Sequence, residues 1–215
     1  MMNNIIVRDI KEEDLPALKS LMVEAFGDGW NLGRYDNTAG YFDALLEVYL
    51  SVFLNSSTFG RVVEVDGNIA GAVLASAGGE AEKFRLMQKN IASNTLTLLS
   101  APEAVRMDIV EHLNKSFQAI GQLLEHRAGD YDGSLEFIAV SKQTRGKKIG
   151  KRLWDEACAY YKSKGVKSIY LIADSACNVG FYEHNGFLRV DTKETVYNYT
   201  TGQKKFDVYV YEYKF

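Results

Sequence analysis

Residues 135–153 read "LEFIAVSKQTRGKKIGKRL": an apolar run, a short polar link, a glycine-punctuated basic turn and the opening of an amphipathic stretch. A strand feeding a glycine turn that opens a helix aims several backbone N–H groups and the positive end of the helix dipole at one point, so the expected guest is a phosphate. Lys142 to Arg152 holds six basic residues (Lys142, Arg145, Lys147, Lys148, Lys151 and Arg152) and no acid. The whole chain carries 25 basic and 28 acidic residues for a net −3, so everything outside this stretch sums to −9. A nucleic-acid surface needs a basic face rather than one short turn, and a small polyanion fits better.

Working outward, the residues after the turn, "IGKRLWDEACAYYKSKG", have Ile149, Leu153, Ala157 and Tyr160 on one helical face and Gly165 as a stop. "VKSIYLIAD" reads as a strand, "NVGFYEHNGF" as a short helix closed by Asn185-Gly186, and the C-terminal residues as a hairpin turning near Thr201-Gly202. Before the turn, "NNIIVRDI" is a strand and "KEEDLPALKSLMVEAF" a helix with acids at its start. "AGYFDALLEVYLSVFL" is a second helix, and "GRVVEVDGNIAGAVLAS" a hairpin with Asp66-Gly67 at its turn. From Gly78 to Asp132 the pattern is helical, with Ser100 and Glu103 spaced as a capping box around Pro102. Strand-helix-strand units beside hairpins predict an α/β fold with a mixed sheet flanked by helices.

With 215 residues, 47% of them apolar, and only Pro16 and Pro102 as prolines, the chain reads as a single domain spanning 1–215. No basic-then-apolar leader and no apolar run near the ~18 residues of a membrane span is visible, which predicts a soluble cytoplasmic protein that engages no membrane. Cys158 and Cys177 lack CxxC spacing and read as small apolar residues; His112, His126 and His184 are scattered and read as surface or pocket residues. No metal site is expected.

Spacing removes two phosphate-turn readings. A Walker loop needs four residues between its glycines and a hydroxyl after the lysine; Gly146 and Gly150 are one residue too close, and Arg152 follows Lys151. The dinucleotide fingerprint needs a third glycine. The sequence instead resembles the GNAT superfamily of N-acetyltransferases, whose acetyl-CoA pyrophosphate loop has the pattern Q/R-x-x-G-x-G/A. Arg145, Gly146, Lys147, Lys148, Ile149 and Gly150 follow it, with Lys148 where the family has its middle glycine; the position is read as already entering the helix, where a side chain can adopt the required φ. A second family signature, N-x-x-A-x-x-F/L-Y-x-x-x-G-F, is resembled by "SACNVGFYEHNGF", with Ser175 at the usual Asn and Asn178 at the usual Ala.

The resemblance implies a central mixed, mostly antiparallel sheet with a splayed parallel pair, plus a helical insertion at about 78–132 on the acceptor side. It also implies transfer of an acetyl group from acetyl-CoA to an amine by direct attack. The turn from Arg145 to Lys151 would anchor the diphosphate, Ile138, Ala139 and Val140 would offer a strand edge to the pantetheine amides, and Asn178 would reach the same arm. Tyr182 would protonate the departing thiolate; its ordinary pKa of about 10 keeps it a donor at neutral pH. The base is Glu136 or a bound water. Strict alternation places Leu135, Phe137 and Ala139 on one face and Glu136, Ile138 and Val140 on the other, with Glu136 desolvated between apolar neighbours. Trp30, Arg34 and Tyr35, in the loop "GDGWNLGRYDN", are candidates to enclose a small-molecule amine. A protein or peptide amine as acceptor, a silent acyl-CoA-binding module, and homodimerisation are left open.

Overall fold

The computed structural model describes residues 4–27, 40–84, 87, 91–144 and 146–215. Among them seven strands, β1 (Ile5–Asp9), β2 (Phe59–Val65), β3 (Asn68–Ala77), β4 (Gly133–Val140), β5 (Ser168–Asp174), β6 (Leu188–Tyr199) and β7 (Gly202–Lys214), form one sheet in the order β1-β2-β3-β4-β5-β7-β6. Every neighbouring pair is antiparallel except β4–β5, so the mixed, mostly antiparallel sheet read from the sequence is what the chain forms. Six helices accompany it: α1 (Leu15–Phe26), α2 (Tyr41–Ser56), α3 (Ile91–Leu99), α4 (Glu103–Leu124), α5 (Ile149–Ser163) and α6 (Val179–His184). The β2–β3 hairpin closes through Asp66 (φ 51°) and Gly67 (φ 84°), as its Asp-Gly predicts.

The two sheet faces are covered by different helices. On one, Leu153, Trp154, Ala157 and Tyr161 of α5 pack on Val73, Leu135, Ile169, Leu171 and Tyr211. On the other, Leu18, Leu21 and Met22 of α1 and Leu45, Leu50 and Leu54 of α2 cover Val62, Ala72, Leu74 and Phe137. The α4 helix extends that second face, laying Ala119 and Leu123 on Val208 and Val210. At the α1 entry, the guanidinium of Arg8 on β1 donates to both oxygens of buried Asp14 (2.7 and 2.8 Å), tying strand to helix.

Four expectations change. On α5 the buried face continues from Ala157 to Tyr161, the fourth residue on, whose hydroxyl donates to the Ser134 carbonyl (2.6 Å); Tyr160 is half-buried, its ring stacked on Phe59. Ser100 does not cap α4. Its hydroxyl donates back to Thr97 (2.7 Å), and Pro102 occupies the N-cap without a side-chain bond. Strict alternation on β4 fails because the β3–β4 register jumps: Leu74 faces Phe137 while Ala75 faces Leu135, leaving Glu136 as the extra residue of a bulge. Leu135 therefore joins the α5-side core with Ile138 and Val140, and Phe137 and Ala139 join the α1–α2 side.

The fourth is His112, which is buried between α4 and β6 rather than at the surface. Its Nδ1 lies 2.6 Å from the Tyr199 hydroxyl and its ring stacks on Tyr197. Burial pushes the imidazole from 6.5 down to about 4. The unfolded chain therefore takes up a proton below about pH 6.5 that the folded chain refuses until about pH 4, so stability is full above this window and falls through it as pH drops. Between pH 7 and 5.5, urea denaturation should show the wild type losing about 1 kcal/mol more than His112→Asn. Equal losses in the two proteins would exclude His112 as the sensitive group.

Candidate functional site

The parallel pair is joined at one end only. Gly133 pairs with Ile169 and Ser134 with Tyr170. Asp132 pins this end: its N–H donates to Ser168 O (2.9 Å), and its carboxylate accepts from the N–H groups of Lys167 (2.8 Å) and Ser168 (3.2 Å). Beyond it β4 follows β3 as far as Val140–Gly71 and β5 follows β7 as far as Asp174–Val208, so the two strands part. A groove of about 1440 Å³ opens there, lined by Ile138, Ala139 and Val140 on β4 and by Ala176, Cys177 and Asn178 beyond β5.

The basic turn forms one end of this groove, with Gly146, Lys147, Lys148, Ile149, Gly150 and Lys151 all in its lining. Gly146 has φ 82° and Lys148 φ 59°. Lys148 is thus not entering the helix, as the sequence reading had it; it is the left-handed N-cap of α5, whose carbonyl accepts the N–H of Arg152 (3.1 Å). An L-residue held there costs about 1–2 kcal/mol, which is why glycine suits the position. The Lys147 amide is committed to Thr144 O (3.2 Å), whereas the first-turn amides of α5 have no intrahelical acceptor and can serve an anion.

What lets α5 sit this close is Gly71 on β3. A Cβ there would lie 2.9 Å from the Ala139 carbonyl and 3.0 Å from side-chain carbons of both Ile149 and Leu153. Neither Gly71 nor Glu24 stands out in the sequence. Glu24 lines the groove from the last turn of α1, where it accepts the Lys142 N–H (2.6 Å) and the Ser141 hydroxyl (3.3 Å) and so fixes the link between β4 and the turn. An acid at the negative end of a helix is the one sequence signal that could have marked it. Asp155, also in the lining, pairs with Lys151 (2.7 Å) and offsets part of the local positive charge.

On the opposite wall, the Asp174 carboxylate accepts the N–H groups of Ala176 (2.9 Å) and Cys177 (3.1 Å) and turns the chain into α6. Exposed Asn178 stands at the N-cap of α6 with its side-chain amide unused as a cap. Tyr182 lines the groove with its ring against Phe181, Phe187 and Tyr211. Burial, with Cys177 and Asp174 adding to it, pushes its phenol well above the ordinary value of 10. Cys177, read from the sequence as a small buried apolar residue, packs half-buried against the α5-side core and also lines the groove, its thiol pushed up to about 12 chiefly by burial.

Glu136 does not line the groove. It sits half-buried at the bulge, two residues before the Ile138 edge, hydrogen-bonded to the hydroxyls of Ser134 and Ser56. Burial raises its carboxyl above the usual glutamate range, against the pull of those two hydroxyls. Trp30, Arg34, Tyr35 and Arg145 lie outside the described residues. Helix α4, expected on the acceptor side, packs along β6 and contributes none of the groove's lining.

A model of the Acetyltransferase (GNAT) family matches residues 15–187. No curated protein matches the chain. Among solved structures, an apo mutant of an agmatine N-acetyltransferase superposes with a TM-score of 0.59 at 16% identity, covering 98% of this chain and 99% of that one. The Drosophila melanogaster polyamine N-acetyltransferase, which forms N-acetylagmatine, gives 0.56 at 15% identity over 99% and 100% of the two chains. The PaiA N-acetyltransferase of Thermoplasma acidophilum in complex with coenzyme A gives 0.53 at 18% identity over 99% of each.

If Gly71 seats the phosphate-facing helix, Gly71→Ala should cost about 1–3 kcal/mol, since its nearest contact is backbone and cannot swing away. Denaturant unfolding measures this directly. An unchanged midpoint would mean that α5 slides without loss.

Proposed function

The chain belongs to the Acetyltransferase (GNAT) family, and from that premise we propose that it moves an acetyl group from acetyl-CoA to the primary amine of a small-molecule acceptor by direct attack. The observation that carries the proposal is the parting of β4 and β5. It leaves one groove with a phosphate turn at one end, a free strand edge along its side and Tyr182 in its wall. Coenzyme A has the matching parts: phosphates, two amides and a thiol.

The residues divide the work by chemistry. First-turn amides of α5, with the cations of Lys147, Lys148 and Lys151 around them, suit the diphosphate. The edge of Ile138 to Val140 suits the pantetheine amides, as an added strand would, and its N–H groups can polarise the thioester carbonyl. As the amine nitrogen bonds to the acetyl carbon and the carbon–sulfur bond breaks, Tyr182 can supply the proton taken by sulfur; its raised pKa keeps that proton in place throughout the neutral range. Glu136, directly or through a water, takes the proton lost by the amine, and its raised pKa makes it a better base than a solvated glutamate. The exposed amide of Asn178 is available to the pantetheine arm. Agmatine and polyamine, the acceptors named for two of the similar structures, are small amines of the proposed class.

The test is a panel of small primary amines incubated with acetyl-CoA, reading free thiol release, beside a thermal shift with CoA alone. At 100 times its dissociation constant CoA adds about 2.7 kcal/mol of stability. Stabilisation without thiol release from any amine would identify a binding module instead, and no stabilisation would remove both readings. Tyr182→Phe should lower turnover at least tenfold with little change in CoA affinity, and an unaffected rate would end its role as acid. Glu136→Gln should flatten the rise of rate with pH that the wild type shows as this carboxyl deprotonates; an unchanged profile would leave the base to water.

A further inference from the structure

Helix α4 turns an apolar stripe away from the protein. A helix lying on a sheet ordinarily buries one stripe and presents polar residues on the other side. The inner side of α4 conforms, with Ile109, His112, Ala119 and Leu123 buried. The outer side does not. Met107, Val110 and Phe117 are 56%, 50% and 53% exposed, and Asn114 and Gly121 share that exposed face. Positions 107, 110, 114, 117 and 121 are separated alternately by three and four residues, the spacing of the seam in a two-helix coiled coil. Leu99, exposed at the end of α3, lies at the N-terminal end of the stripe, where Arg106 donates to its carbonyl (3.5 Å). An exposed apolar patch of this kind marks a contact surface.

The polar residues in and beside the seam indicate what covers it. Arg106 stands just before the first seam residue and Glu111 just after the second. Five positions apart, they lie on opposite flanks of one helix and cannot pair with each other. Across a parallel, in-register pair of helices, however, Arg106 of each copy meets Glu111 of the other, two ion pairs related by the twofold axis. Glu111 accepts the Asn198 N–H (2.8 Å), and among the described residues neither Arg106 nor Glu111 is in an ion pair. In the same arrangement Asn114 meets Asn114 midway along the seam, where the two amides can bond one another; a single polar residue at such a position fixes register and favours two helices. The reversed arrangement centred on Asn114 would instead set Glu103 against Glu125, a like-charge contact. We infer that α4 is the contact between two copies of this chain, parallel and in register. The contact involves none of the groove's lining, so it stands or falls separately from the transferase reading.

Sedimentation equilibrium of the full chain over a dilution series tests the inference. The wild type should run at the mass of two chains, and Phe117→Glu, a change at an exposed side chain, at the mass of one while keeping the wild-type circular dichroism. Arg106→Glu sets two glutamates against each other on both sides of the seam and should weaken the dimer at least tenfold. Val110→Cys meets its own copy in the parallel arrangement but Gln118 in the reversed one, and mild oxidation should link it into a covalent dimer that the wild type, with its two half-buried cysteines, does not form. A wild type that is monomeric at every concentration overturns the inference, and so does a dimer that survives Phe117→Glu. Unchanged dimer affinity in Arg106→Glu, or a failure of Val110→Cys to link within an intact dimer, overturns the parallel register.

Discussion

Two parallel strands that are each fully paired on their outer side, but to one another at only two positions, are the constraint from which the rest of the site follows. β4 holds to β3 and β5 to β7 along their lengths, while Asp132 closes their shared end. The bulge at Glu136 adds a residue to β4 and increases its local twist, turning it away from β5 where the groove begins. Past the bulge β4 presents peptide groups with no strand beside them. Such groups are costly to bury unpaired, so the wedge is either wet or filled by a ligand that carries amides of its own.

The helix that follows β4 is held against the sheet by an absence. Gly71 offers no Cβ, so Ile149 and Leu153 settle against the β3–β4 backbone and the first turn of α5 looks into the wedge. The chain between strand and helix must then turn sharply. It does so through left-handed Gly146 and Lys148, with Glu24 of α1 holding the Lys142 amide from the far side. Positive charge collects at a place where the helix dipole is already positive, an arrangement unfavourable until an anion arrives.

Much of this was legible because it is local. The strand, turn and helix around "LEFIAVSKQTRGKKIGKRL", the Asp-Gly hairpin and the short helix of "NVGFYEHNGF" each announce themselves within a few residues of periodicity and turn chemistry. What was not legible depends on a second segment. The bulge is a mismatch between β3 and β4, and no single strand reveals it. The bond from Glu24 to Lys142 spans 118 residues, and the burial of His112 depends on tyrosines more than eighty residues later in β6. The left-handed backbone of Lys148 is likewise hidden, because lysine has no preference for that conformation and only the start of α5 in three dimensions shows it.

The bulge also separates the proposed acid from the proposed base. Tyr182 packs on the α5 side of the sheet, among Phe187 and Tyr211, whereas Glu136 reaches Ser56 at the end of α2, on the opposite side. Strict alternation along β4 would have put Glu136 on the face of Ile138 and Val140, in the α5-side core. With one extra residue its carboxylate meets the hydroxyls of Ser134 and Ser56 instead. In the proposed reaction, the amine activated by Glu136 and the thiolate protonated by Tyr182 would thus be served by groups set in different surroundings. The parting of β4 and β5 is where the two can meet, so the same break in the sheet that makes room for the pantetheine arm also sets the line along which the acyl group would be passed.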